Sequence, residues 1–285
     1  MKKLSILICL GLILCLLSGC SNTPQAQIAA TTLPVYEFTT RLCEGTGITV
    51  TRLVTEEVSC LHDYSLKTAQ MRAIEGAQLV VINGGGLEDF MADIVPDEKT
   101  IDASSGMELE CGHDHDGHSH KHDPHIWLSP ILAKEMVSNI ADGLCVQFPE
   151  YEQIFNINKD ILHKELDALY RYGQEQLANL SCKKLITFHD GFHYFAESFG
   201  LEIIRAVEEE SGSEASAREL IELIELVQKN NLPAIFTERS GSTSAAGIIA
   251  AETGVKTYTL DMAMAGDSYF KAMHHNIHVL KGALG

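Results

Sequence analysis

The sequence predicts an α/β protein of two halves, each a parallel sheet covered by helices, joined by one long helix. Three observations carry this. Short β-rich runs alternate with helical segments before about residue 148, the same rhythm resumes after about 182, and between them apolar residues recur at helical spacing for some thirty positions.

In the first half, Ile28 to Thr32, Ile48 to Val54 and Leu79 to Asn83 read as strands. Helices are expected from about Pro34 and Ser65. Ser129-Pro130 then opens another helix, with a capping serine and a proline in the first turn. The joining helix is expected over residues 149–181, where Ile154, Ile157, Ile161, Leu162, Leu166 and Leu169 recur between charges and only Gly173 interrupts weakly. At 1.5 Å per residue it spans roughly 40 Å. In the second half, Lys184 to Phe188, Leu201 to Val207, Ala234 to Thr237 and Val255 to Leu260 read as strands. Helices follow from Gly191, Ala217, Thr243 and Ser268. The lobes are thus expected at 28–148 and 182–285.

Ahead of them, Met1-Lys2-Lys3, an apolar run from Leu4 to Leu17 and Leu17-Ser18-Gly19-Cys20 form the three-part layout of a secretory signal. The run is shorter than the roughly 20 residues of a spanning helix. Small residues before a cysteine resemble the lipobox of bacterial lipoproteins, so Cys20 is expected to be acylated and to anchor the chain in the outer face of the cytoplasmic membrane. Residues 21–27 form a polar tether.

Without residues 1–19 the chain carries 19 basic and 39 acidic side chains, a net charge of −20. Such a chain repels phosphate backbones, which argues against a nucleic-acid partner, and attracts cations. Eight cysteines reduce to Cys43, Cys60, Cys111, Cys145 and Cys182 beyond the anchor. Their pairing stays open, and the absence of CxxC gives no support to a Cys-rich zinc site.

Residues 111–125 hold six histidines in fifteen positions. Imidazole is a common ligand for zinc, copper and nickel. His113, His115, His118, His120 and His122 lie in polar sequence and read as a collecting loop. His125 precedes Ile-Trp-Leu-Ser-Pro, apolar residues and a helix start, which would hold it rigidly, as a tight site requires. His62 lies in a turn between a strand and a helix, His189 directly after the first strand of the second half, and Asp261 at the end of another strand. These are the edges where α/β sheets present ligands. Each also has a plain reading, an exposed loop histidine for His62 or a helix cap for Asp261. His193, four residues beyond His189, reads more simply as an exposed helix residue. Three imidazoles and one carboxylate make a tetrahedral set suited to zinc.

Taken in order, Ala-Thr-Thr-Leu-Pro-Val-Tyr near residue 30, Leu61-His62-Asp63-Tyr64, Leu-Val-Val-Ile-Asn-Gly from 79, Asp-Pro-His-Ile-Trp-Leu-Ser-Pro around His125, Phe-His-Asp-Gly-Phe-His-Tyr-Phe from 188 and Leu260-Asp261 resemble the solute-binding lipoproteins of zinc and manganese ABC importers. The resemblance covers the chain from about Ile28. It implies two Rossmann-like domains joined by a rigid long helix, with metal in the interdomain cleft. It puts His62, His125, His189 and Asp261 at the four ligand positions. It also implies a monomer that carries Zn2+ as cargo to an ABC permease with a cytoplasmic ATPase, with cell adhesion as a side role. A histidine at 189 and a His-rich loop mark zinc-type relatives, with Mn2+, iron or another divalent ion as the alternative. The chain departs from the family at Leu61, where proline usually precedes the ligand histidine, and at Glu214-Ala215-Ser216, where Glu-Pro-Ser is usual. A zinc-dependent hydrolase is the competing class, but the sequence holds no HExxH, GxSxG or P-loop motif. The chain is therefore expected not to be an enzyme.

Overall fold

The structure is a computed structural model, and it describes residues 27–58, 61, 64–110, 122–208, 215–239 and 243–285. The first sheet holds β1 (Ile28–Ala30), β2 (Val50–Arg52), β3 (Leu79–Ile82) and β4 (Thr100–Asp102) in the order β2-β1-β3-β4. The second holds β5 (Lys184–His189), β6 (Glu202–Glu208), β7 (Ala234–Glu238) and β8 (Lys256–Leu260) in the order β6-β5-β7-β8. All pairings are parallel, with Ile28 opposite Val50 and Leu79, and Ala234 opposite Lys256.

Parallel strands need crossovers, and the helices that supply them cover both faces. This is why the central strands are apolar without alternation. Leu79 and Val81 enter the main core while Val80 faces a separate cluster with Leu53, Ile74 and Met91. Likewise Ala234 and Phe236 face the main core, and Ile235 packs with Leu223 and Ile249 on the other side.

The helices are α1 (Leu33–Leu42), α2 (Thr68–Gly76), α3 (Pro130–Gln147), α4 (Glu152–Leu177), α5 (His193–Phe199), α6 (Ala217–Asn230), α7 (Ser244–Thr253) and α8 (Tyr269–Leu284). Ser129 caps α3 by accepting from the Leu132 N–H at 3.3 Å, and Ser216 and Glu219 form a capping box at α6. No described helix is long and apolar enough to cross a membrane.

Strands β1 and β2 are shorter than the sequence reading gave them, and three helix boundaries differ by two residues or more. The helix expected from Ser65 begins at Thr68, because Gln70 folds back to accept the Lys67 N–H at 2.7 Å and keeps Lys67 extended. The helix expected from Gly191 begins at His193. The joining helix is α4, preceded by a separate 3-10 turn over Pro149–Tyr151. Gly173 is no mere interruption in it: a Cβ there would lie 2.2 Å from the Phe199 ring, so glycine is what lets α4 pack against α5.

One hydrophobic core runs through both halves, from Phe38 and Trp127 through Phe155 and Leu166 of α4 to Phe195, Phe236 and Tyr269. Arg41 of α1 forks onto Glu165 of α4 at 2.6 and 2.7 Å. Trp127 crosses between the halves, donating from Nε1 to the Met262 carbonyl at 2.7 Å, while its own carbonyl accepts from the Tyr269 hydroxyl at 2.8 Å. Burying an aromatic of this size stabilises the fold by roughly 4–6 kcal/mol. The two halves therefore meet across one packed seam.

Candidate metal centre

His125 stands between Pro124 and the 3-10 turn Ile126–Leu128, and His189 is the last residue of β5. Both are nearly buried, at 3% and 2% exposure. Their Nε2 atoms lie 3.2 Å apart, and the rings meet edge to face at 84°. Two ligands about 2.0–2.1 Å from a tetrahedral zinc stand roughly 3.3–3.4 Å apart, so this pair has the spacing of one tetrahedral edge.

The other nitrogen of His125 explains its orientation. Asp123 Oδ1 accepts from the His125 backbone N–H at 2.9 Å and lies 2.7 Å from Nδ1. That contact assigns the proton to Nδ1 and leaves the lone pair on Nε2, directed at His189. The segment is held from behind as well. Asn83, just after β3, donates from Nδ2 to the Pro124 carbonyl at 2.9 Å, and Tyr194 donates its hydroxyl to the Asp123 carbonyl at 3.2 Å.

Asn83 is fixed in turn by Glu88. This buried carboxylate accepts from the Thr31 hydroxyl at 2.6 Å, from Asn83 N–H at 2.9 Å and from Gly84 N–H at 3.1 Å. Burial pushes its pKa up to about 7 against the pull of those donors. One side chain thereby ties the ends of β1 and β3 together beneath the His125 segment.

Gly191 lies where the two lobes meet. A Cβ at this position would stand 2.7 Å from His189 Cδ2, 2.7 Å from Met262 Cε and 3.0 Å from His125 Cδ2. Only a residue without a side chain fits beside the two imidazoles.

Asp261 follows β8. Its Oδ1 accepts from Ala263 N–H at 2.8 Å, and its Oδ2 lies 3.2 Å from the Arg239 guanidinium. Its neighbour Met262 stands with the two imidazoles around Gly191. Among the described residues, however, no three His, Cys, Asp or Glu side chains stand together closely enough to hold a metal ion. His62 lies outside the described residues, as do His113, His115, His118, His120, Cys20, Cys60 and Cys111. His122 is described and half-buried. His193 Nε2 lies 2.7 Å from Asp190 Oδ1, a contact that raises its pKa above the ordinary histidine value. Cys43, Cys145 and Cys182 are free thiols. Asp123, Asn83, Glu88 and Arg239 are not apparent in the sequence; of these only Asp123 gave a local signal, a carboxylate two residues ahead of a histidine.

Comparison with known proteins bears on the family and the fold. Over residues 28–283 the chain matches the family described as ZnuA, zinc-uptake complex component A, periplasmic. It is 32% identical to the zinc-binding lipoprotein AdcA of Streptococcus pneumoniae, over 99% of this chain and 61% of that protein, and so spans about three-fifths of that relative's length. The crystal structure of the Zn(II)-bound ZnuA-like domain of S. pneumoniae AdcA superposes with a TM-score of 0.76 at 29% identity, covering 90% of this chain and 98% of that one. The laminin-binding protein Lmb of Streptococcus agalactiae, described as bifunctional with adhesin and metal-transporting activity, superposes with a TM-score of 0.79 at 25% identity, covering 90% and 99%. A match that begins at the first strand and ends in the last helix makes this chain a member of the zinc-uptake complex component A family.

Proposed function

We propose that the chain is an extracytoplasmic solute-binding lipoprotein that captures Zn2+ between its two lobes and delivers it to an ABC importer. The observation that carries this reading is the pair of buried Nε2 atoms 3.2 Å apart, one of them oriented by a carboxylate. In this reading His62, His125, His189 and Asp261 supply three nitrogens and one oxygen to the ion. Such a set suits zinc better than manganese, which prefers oxygen ligands. Relatives named for zinc binding and a family named for zinc uptake support the same cargo.

The histidines of residues 113–122 collect ions and raise their local concentration, and acylated Cys20 holds the protein at the outer face of the membrane. ATP hydrolysis belongs to the permease's ATPase partner, and the protein works as a monomer of lobes 28–148 and 182–285 with α4 between them. Four protein ligands close the coordination shell, which suits a carrier. A zinc hydrolase needs an open position for water.

Competitive titration of the mature chain with zinc, manganese and iron, followed by calorimetry and native mass spectrometry, tests the reading. One tight zinc per chain is expected, and His125→Ala or His189→Ala should weaken it by at least about a hundredfold, given the bond each removes. Wild-type affinity in both variants would refute it. Intact zinc uptake in a deletion strain would refute delivery.

A further inference from the structure

Arg239 directly follows β7, and its guanidinium stands between carboxylates of both lobes. Its Nη2 lies 3.2 Å from Asp261 Oδ2, and its Nη1 lies 3.9 Å from Glu57 Oε1, in the segment after β2. The three side chains line a small cleft with Val58, Met262 and Met264. Asp261 Oδ1 is committed to the Ala263 N–H, so Oδ2 is the oxygen left to face a cation, and it faces Arg239.

We propose that Arg239 is a built-in counter-cation of Asp261 that an incoming divalent ion has to displace, so that this residue lowers the holding affinity and eases release. The inference rests on the reading of Asp261 as a ligand. A carboxylate oxygen shared with a guanidinium is a poorer donor to a metal, and the guanidinium repels a second cation at close range. The exchange costs little, because the Arg239 side chain is half-exposed and its pairing with Asp261 is in contact with water. Glu57 gives it somewhere to go: displaced from Asp261, the guanidinium keeps an acceptor within reach.

The test is competition against a chromophoric zinc chelator, using the mature chain and its Arg239→Gln, Arg239→Lys, Asp261→Ala and double Arg239→Gln/Asp261→Ala forms. Arg239→Gln should bind zinc on the order of three- to tenfold more tightly. Arg239→Lys, which keeps the cation, should restore the weaker affinity. The gain should shrink in high salt, which screens an exposed pair. In the Asp261→Ala background, Arg239→Gln should add nothing. If Asp261→Ala weakens zinc but Arg239→Gln does not tighten it, the counter-cation role is wrong while the ligand reading stands. If Asp261→Ala leaves zinc affinity unchanged, the ligand reading fails and takes this inference with it. Melting curves of the metal-free forms verify that each variant is folded.

Discussion

The side-chain amide of Asn276 closes on both backbone groups of Asp261, its Oδ1 accepting the Asp261 N–H at 2.8 Å and its Nδ2 donating to the Asp261 carbonyl at 2.7 Å. Asn276 is fully buried on α8, so the chain leaving β8 is clamped to the following helix just where Asp261 begins the loop. Asn276→Ala strands two backbone polar groups that water reaches poorly. Unfolding free energy from urea denaturation should fall by roughly 2–4 kcal/mol, and zinc affinity should fall with it. A loss well under 1 kcal/mol would mean that the loop is held by other contacts.

Asp123 orients one imidazole through two hydrogen bonds to a single oxygen. Asp123→Ala should therefore lower zinc affinity by about 10–100-fold while far-ultraviolet circular dichroism stays unchanged. Asp123→Asn keeps an acceptor but loses the charge, and should fall between the two. Equal affinities across the three proteins would show that packing alone orients His125.

Gly191 leaves no space for a methyl group. With three side-chain atoms at 2.7, 2.7 and 3.0 Å from the new Cβ, Gly191→Ala has to spread His189, Met262 and His125 apart. Overpacking of this kind costs roughly 1–3 kcal/mol. Zinc affinity should drop by more than that stability loss alone would bring, since the imidazole spacing itself is changed. A variant destabilised but binding zinc normally would place the ion away from this pair.

Much of this architecture could be read from the chain before any contact was known. The runs at Leu79 and Ala234 are apolar without alternation because both sheet faces are covered, and His189 and Asp261 fall at strand ends, where α/β sheets present side chains. β4 could not be read: Thr100–Asp102 is three residues long, and pairing with Val80–Ile82 is what makes it a strand. The support of the site was equally hidden. Asn83 reaches Pro124 across 41 residues, Arg239 meets Asp261 across 22, and Asn276 meets Asp261 across 15. Local pattern carries no information about such partners, since the fold brings them together.

Glu88 makes stability depend on pH in an unusual direction. Its pKa in the folded chain, about 7, lies above the ordinary 4.5 of a glutamate, because burial disfavours the carboxylate more than Thr31, Asn83 and Gly84 favour it. Between those values the folded chain holds a proton that the unfolded chain has released, so the contribution is fully present below 4.5 and is lost as pH rises through 7. The shift corresponds to about 3 kcal/mol. Glu88→Gln cannot titrate, and its one mismatched contact, at Gly84 N–H, costs the same at every pH. The stability of the metal-free wild type minus that of Glu88→Gln should therefore decline by about 3 kcal/mol between pH 4.5 and 8 in urea denaturation. A difference independent of pH would mean that folding leaves the pKa of Glu88 where it is in the unfolded chain. The consequence reaches the site, because Asn83, whose N–H Glu88 accepts, holds the Pro124 carbonyl directly ahead of His125. Replacing Glu88 with alanine, which removes all three contacts, should weaken zinc binding as well as the fold.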